Sequence, residues 1–113
     1  MKSLNEIQLL ENEREILRKI REAARSVLPD ATVIFYGSRA RGDAREYSDW
    51  DILVLTDTVD WKIERQVFSA LYQVELDENI IIGLLTLPRD EWNFKRFKDH
   101  PIHERVDMEG ILL

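Results

Sequence analysis

Two aspartates close to a glycine-containing loop are the residues of this sequence best suited to chemistry. Asp49 and Asp51 lie at the start of an apolar segment, Trp50–Leu55, that is typical of a buried strand. Because side chains alternate along a strand, both carboxylates project from the same face. Two such neighbours repel each other unless a cation lies between them, and Mg²⁺ prefers one or two carboxylates together with substrate phosphates. The spacing therefore predicts that Asp49 and Asp51 bind Mg²⁺.

The loop before these acids offers groups that bind anions. It follows a second apolar segment, Val33–Tyr36, which also reads as a buried strand. Gly37 can adopt a positive φ and lets the backbone come close to a ligand. Ser38 adds a hydroxyl and neighbouring amide groups, while Arg39 and Arg41 add positive charge. These features predict a site for phosphate.

A P-loop is excluded although the glycine spacing matches one. Gly37 and Gly42 are separated by four residues, but Asp43 and Ala44 follow where a P-loop requires Lys and then Ser or Thr. No lysine is present to reach the phosphates. The anion site must belong to another class of loop.

The complete pattern is Gly-Ser, ten residues, then Asp-x-Asp. It resembles the signature of the nucleotidyltransferase superfamily that includes DNA polymerase β, and more narrowly that of the minimal nucleotidyltransferases of bacteria and archaea, abbreviated MNT. The residues that match are Gly37, Ser38, Ala40, Arg41, Gly42, Ser48, Asp49 and Asp51.

The resemblance implies a polymerase β-like palm fold, ATP as the substrate and two Mg²⁺ ions. In that case Gly37, Ser38 and Ser48 would bind the nucleotide, and Asp49 and Asp51 would be the catalytic metal ligands. Arg41 is the first candidate for neutralising the triphosphate and Arg39 the second. The family usually adds a third carboxylate from a later strand, and Glu75 is our candidate for it.

The resemblance also implies a partner. Minimal nucleotidyltransferases are commonly paired with a helical HEPN protein, an RNase toxin, and act as its antitoxin by transferring AMP to it. We therefore expect AMP transfer from ATP to a tyrosine of a HEPN-type toxin, within a complex of the two proteins. The alternative is a non-catalytic antitoxin or nucleotide-binding module that covers the partner through Trp61, Trp92 and the apolar tail Ile111–Leu113.

Length and composition restrict the remaining choices. At 113 residues the chain is predicted to form a single domain, residues 1–113. The net charge of −6 argues against a broad nucleic-acid surface. The absence of cysteine excludes disulfides and fits a cytoplasmic protein, and no segment resembles a signal peptide or a membrane span.

The elements that must position these residues follow the order helix, strand, strand, helix, strand, helix, which predicts an α/β fold with a small mixed sheet and helices packed mainly on one face. Ser3 and Glu6 form a possible capping box for a first helix that runs to Val27. The later elements are a helix over Asp60–Val74, a central strand over Asn79–Leu87 and a short helix over Pro88–Phe97. Gly83 interrupts that strand, which indicates a bulge or a close approach to the backbone.

Overall fold

A mixed sheet of five strands forms the centre of the computed structural model, which describes residues 1–113. The strands are β1 (Lys2–Ser3), β2 (Thr32–Tyr36), β3 (Trp50–Thr56), β4 (Ile82–Pro88) and β5 (Ile111–Leu112). The helices are α1 (Glu11–Val27), α2 (Ser38–Arg41), α3 (Trp61–Glu78), α4 (Arg89–Trp92), α5 (Lys95–Lys98) and α6 (Pro101–Glu109), with a 3₁₀ turn at Leu4–Glu6. None of these helices combines the length and the apolar composition needed to cross a bilayer.

The strand order is β1-β5-β2-β3-β4, so the two strands of the motif are adjacent in the middle of the sheet. β2 and β3 pair antiparallel, and β3 and β4 pair parallel. The prediction that the third long strand is central is wrong, because β4 lies at the edge. Its apolar sequence reflects contacts on both faces instead: Leu84 packs on one core cluster, and Leu85 and Leu87 pack on the other.

The two long helices cover one face of the sheet. From α1, Ile16, Leu17, Ile20 and Ala24 are buried, and α3 contributes Val67, Leu71 and Val74. They pack against the inward residues of the two central strands, which are Val33, Phe35, Trp50, Ile52 and Val54. Burial of these apolar side chains is the main source of stability for such a layer.

The short helices at the end of the chain cover part of the other face. Trp92 of α4 and Val106 of α6 pack against Ile34, Tyr36, Leu53 and Leu55. The prediction of an α/β fold whose helices lie mainly on one face is thereby confirmed. Since side chains alternate along β3, Asp51 belongs to the face that α6 covers and not to the face covered by α3.

The first helix begins later than the sequence predicts. Ser3 does contact Glu6, with 3.2 Å between its hydroxyl and the carboxylate, but only a 3₁₀ turn follows. The helix starts at Glu11, where the Glu13 carboxylate accepts a hydrogen bond from the Leu10 N–H at 3.0 Å. Ser3 instead pairs with Leu112 in the sheet, which diverts the chain before the helix can form.

Several side chains that could have formed a partner surface are buried. Trp92 is 5% exposed, and Ile111 and Leu113 of the tail are 3% and 9% exposed. The tail forms β5, which lies between β1 and β2. Of the residues named for the covering alternative, Trp61 and Leu112 are exposed.

Candidate active site

The side chain of Asp51 lies between the backbones of two glycines on neighbouring strands. Asp51 pairs with Gly83 across the β3–β4 ladder, and Gly37 follows directly after its β2 partner Tyr36. A Cβ atom at Gly37 would lie 2.1 Å from Oδ2 of Asp51, and one at Gly83 would lie 2.7 Å from Oδ1. A side chain at either position would displace the Asp51 carboxylate, and the prediction of a close approach at Gly83 is confirmed.

Asp49 and Asp51 converge on the same point, as the alternation of side chains predicts. Oδ2 of Asp49 would lie 3.9 Å from a Cβ at Gly83, close to the place occupied by the Asp51 carboxylate. Asp51 is half-buried and Asp49 is exposed. Neither carboxylate forms a hydrogen bond with another group of the protein or an ion pair with a cationic side chain. The carboxylate oxygens of the two acids thus lie close together beside Gly83 without a partner in the protein.

The environment of Asp51 opposes its negative charge. Burial raises the pKa of the Asp51 carboxyl, and the charge of Asp49 raises it further. Arg105 acts in the opposite direction, and Glu109 adds to the increase. Burial also raises the pKa of the Tyr36 hydroxyl, with Asp51 as the next cause. A site of this kind gains free energy when a cation enters it.

The anion loop forms the single turn of α2. Gly37 has a φ of 87° and precedes the helix, and Gly42 ends it in the left-handed region with a φ of 86°. The first N–H groups of any helix have no partner inside it, so those of Ser38 and Arg39 are available to an anion. The N–H of Gly37 is already engaged by the Glu109 carboxylate at 3.1 Å.

The two arginines of the loop differ in their contacts. Nη1 of Arg41 contacts both carboxylate oxygens of Glu109, at 3.1 and 2.9 Å. Arg39 turns away and donates to the carbonyl oxygens of Ser48 and Glu46, at 2.7 and 2.8 Å. Its guanidinium also lies 4.9 Å from the ring centroid of Trp50. Arg39 therefore holds the connection between α2 and β3, and Arg41 is the better placed of the two to meet a phosphate.

The side chains of Ser48 and Glu75 both accept hydrogen bonds from backbone N–H groups. The Ser48 hydroxyl accepts a hydrogen bond from the Arg45 N–H at 2.8 Å and shapes the turn before Asp49. Oε1 of Glu75 accepts from the N–H of Ile82 at 2.6 Å, at the start of β4. Glu75 belongs to α3, which covers the face opposite Asp51. The structure therefore does not bring Glu75 together with Asp49 and Asp51.

Comparison with known proteins identifies the family. The family model described as "Nucleotidyltransferase domain" matches residues 17–109, which include the loop, both acids and most of the sheet. The chain belongs to the nucleotidyltransferase domain family. The expectation drawn from the Gly-Ser and Asp-x-Asp motif is confirmed at this level.

A solved structure resembles this nucleotidyltransferase domain in fold. It is described as "Crystal structure of the toxin-antitoxin with AMP-PNP", and it superposes with a TM-score of 0.61 at 22% sequence identity. The similarity covers 84% of this chain and 69% of the other. At that identity the comparison establishes a shared fold. No curated protein matches the chain.

Two residues of α6 border the site of the nucleotidyltransferase domain and were not foreseen. Glu109 contacts Gly37 and Arg41, and Arg105 influences the pKa of Asp51 and of Tyr36 by its charge. They lie one helical turn apart on α6. About sixty residues separate them from the motif, so no local pattern connects the two segments. The four-residue spacing is the only signal in the sequence.

The donor set fits a magnesium ion that is shared with a substrate. No group of three or more His, Cys, Asp or Glu side chains is arranged to hold a metal by itself. Two carboxylates with free oxygens are nevertheless the protein ligands that Mg²⁺ commonly takes when phosphates and water complete its shell. Asp49 and Asp51 could therefore hold such an ion together with a bound nucleotide.

Proposed function

We propose that this domain is a Mg²⁺-dependent nucleotidyltransferase that moves AMP from ATP to a protein acceptor. The acceptor is a tyrosine of a HEPN-type RNase toxin, for which the domain acts as the antitoxin. The coarser part rests on the family match over residues 17–109. The finer part is our inference from the sequence motif and from the site.

One observation carries the proposal: two carboxylates without protein partners meet beside the phosphate loop. Asp51 and Asp49 converge at Gly83, and Gly37 begins the loop directly above Asp51. A half-buried carboxyl with a raised pKa destabilises the fold when it is ionised, and such groups are frequent at functional sites. Metal and triphosphate binding would explain both the acids and the two glycines that make room for them.

Each residue would have a distinct role in the transfer. The amides of α2 and the Ser38 hydroxyl would hold the β- and γ-phosphates, and Arg41 would neutralise part of their charge. Asp49 and Asp51 would hold Mg²⁺, which when bound stabilises the charge of the leaving pyrophosphate. The tyrosine oxygen would attack the α-phosphorus, lose its proton and displace pyrophosphate. Positioning and electrostatics supply most of the catalysis in such reactions.

The toxin partner is supported by the structural neighbour, which is described as a toxin-antitoxin with AMP-PNP. We infer a complex with the toxin as the working unit.

A second function, a non-catalytic antitoxin, is favoured by one specific observation. No third acid accompanies Asp49 and Asp51 in a metal-binding cluster. Without such a group the acceptor would lack a base close to the metal, and the domain could neutralise its partner by covering it. Nucleotide binding would then be regulatory.

Calorimetry with ATP, with and without Mg²⁺, tests the site itself. We expect binding to require Mg²⁺, because Asp49 and Asp51 otherwise repel the phosphates. The double variant Asp49→Asn/Asp51→Asn should lose this dependence and most of the affinity for Mg²⁺-ATP. An Asp99→Asn variant, which changes an exposed acid far along the chain, serves as the control. Equal ATP affinity with and without Mg²⁺ in the wild type would contradict the proposal.

A further inference from the structure

Glu109 occupies two anion donors of the loop that begins at Gly37, the Gly37 N–H and the Arg41 guanidinium. Its carboxylate accepts from the Gly37 N–H at 3.1 Å and from Arg41 at 3.1 and 2.9 Å. Glu109 is the last residue of α6, and its side chain is only 13% exposed. A backbone amide and a guanidinium of one loop therefore converge on one carboxylate from a distant part of the chain.

We propose that Glu109 is a built-in competitor of the nucleotide, so that a phosphate group enters the loop only when it displaces the Glu109 carboxylate from Gly37 and Arg41. The inference rests on the proposed function in assuming that the displacing anion is a nucleotide triphosphate. It goes beyond that function because it assigns to α6 a role in controlling access to the site.

The chemistry of the two anions makes them exclusive. Carboxylates and phosphates are both recognised by charge-assisted hydrogen bonds from arginine and from backbone N–H groups. The Gly37 N–H has a single hydrogen to donate, and Glu109 accepts it. Arg41 has several N–H donors, of which Nη1 contacts Glu109 and Nε contacts Asp43 at 3.2 Å. A triphosphate that entered beside an undisplaced Glu109 would also face its negative charge along with those of Asp49 and Asp51. Competition for the same donors follows.

The position of Glu109 on α6 makes its release feasible. An acid at the last residue of a helix is disfavoured by the negative end of the helix dipole. Contacts with Gly37 and Arg41 offset that cost in the nucleotide-free state. Arg105 lies one turn earlier on the same helix, and its side chain is exposed and without a hydrogen-bond partner. Residues four apart on a helix are neighbours, so Arg105 can receive the displaced carboxylate.

Variants at position 109 test the competition by calorimetry with two ligands, Mg²⁺-AMP-PNP and inorganic triphosphate. Glu109→Gln removes the charge, and we expect both ligands to bind about tenfold more tightly, as when a competing state populated about ten to one is removed. Glu109→Asp keeps the charge but is too short to hold both donors. It should show a smaller gain in the same direction. Circular dichroism verifies that both variants keep the fold.

Glu104→Gln provides the matched control, since Glu104 is an exposed acid of the same helix whose side chain forms no hydrogen bond or ion pair. It should bind both ligands like the wild type. Unchanged or weaker binding in both position-109 variants would overturn the proposal, as would a gain in Glu109→Gln and Glu104→Gln alike. A gain for triphosphate without any nucleotide binding would uphold the competition and refute the proposed function. Nucleotide binding that is no tighter in Glu109→Gln than in the wild type would uphold the proposed function and refute the competition.

Discussion

The carboxyl group of Asp51 carries a charge in a place where water solvates it poorly. It is enclosed by the backbones of Gly37 and Gly83, with Asp49 beside it and no donor from the protein. The pKa of Asp51 is raised by burial and then by Asp49. At the scale of the residue, the ionised Asp51 carboxylate therefore lowers the stability of the folded domain.

Replacing Asp51 by Asn should stabilise the domain at neutral pH. A group whose pKa is higher in the folded state than in the unfolded state stabilises the fold fully below its unfolded pKa, and this contribution is lost as the pH rises through the folded pKa. The wild type should thus be less stable than Asp51→Asn at pH 7. The difference in thermal midpoint should shrink as the pH falls toward 3.8, the ordinary value for the carboxyl. Thermal unfolding between pH 7 and pH 4 measures it.

Magnesium and a remote acid supply the controls for this experiment. Added Mg²⁺ should raise the midpoint of the wild type and leave that of Asp51→Asn unchanged, because the ion binds the ionised pair. Asp99→Asn should follow the wild type at every pH. An Asp51→Asn variant less stable than the wild type at pH 7 would show that the carboxylate has a stabilising partner in the folded domain.

At the scale of the elements, the parts of the fold encoded locally could be predicted and the parts set by distant contacts could not. The apolar segments of β2 and β3 and the two glycine positions followed from residue type and alternation. The start of α1 did not, because Ser3 is drawn into pairing with Leu112, at the other end of the chain. The edge position of β4 was not predicted either. The apolar residues of this strand reflect packing on both faces of the sheet and do not indicate how many strands pair with it.

The site was predictable to the same extent. Asp49, Asp51 and Gly37 lie within fifteen residues of one another, so their relative positions could be predicted from their spacing in the sequence. Glu109 and Arg105 reach the site only because α6 packs across the far end of β2. No spacing in the sequence encodes that contact. Arg39 resembled a phosphate ligand by type, but its donors are used on the carbonyl oxygens of Ser48 and Glu46.

Glu75 joins α3 to β4, and its substitution separates that structural contact from a catalytic role. Glu75→Ala removes the acceptor of the part-buried Ile82 N–H, so the free energy of unfolding should fall by about 1–2 kcal/mol. Glu75→Gln keeps an acceptor oxygen and should lose less. Chemical denaturation measures both values. The affinity for Mg²⁺-ATP should stay unchanged in each variant, and a clear loss in Glu75→Gln would return this residue to the list of metal ligands.

At the scale of the whole molecule, the site and an apolar exposed surface on α3 lie on different faces. The site opens on the side covered by α6, whereas Trp61, Phe68, Tyr72 and Leu76 are exposed on α3, with Phe68 stacked on Tyr72 at 6.0 Å between centroids. A groove of about 610 Å³ runs between Phe68 and the edge strand β4. An antitoxin that acts by covering its partner would use this apolar surface, while one that acts by transfer depends on the acids.

Co-expression with a candidate HEPN-type toxin separates the two proposed functions. If transfer protects the cell, Asp51→Asn should abolish protection. AMP transfer should fall by about a thousandfold or more, because the variant lacks a ligand of the Mg²⁺ ion that would stabilise the leaving pyrophosphate. If covering protects, Asp51→Asn should protect like the wild type, and Phe68→Ala/Tyr72→Ala should fail. Growth is scored, and mass spectrometry of the partner detects added AMP.

Phe94→Ala is the control for the surface variant in that experiment, because Phe94 is an aromatic side chain of similar exposure, 68% against 59% for Phe68, and lies between α4 and α5 rather than on α3. It should leave protection intact under either function. We expect loss of protection together with loss of the AMP adduct in Asp51→Asn, since two acids without partners and two glycines shaped around them serve no purpose in a surface that merely covers. Full protection by Asp51→Asn without an adduct would end the enzymatic interpretation.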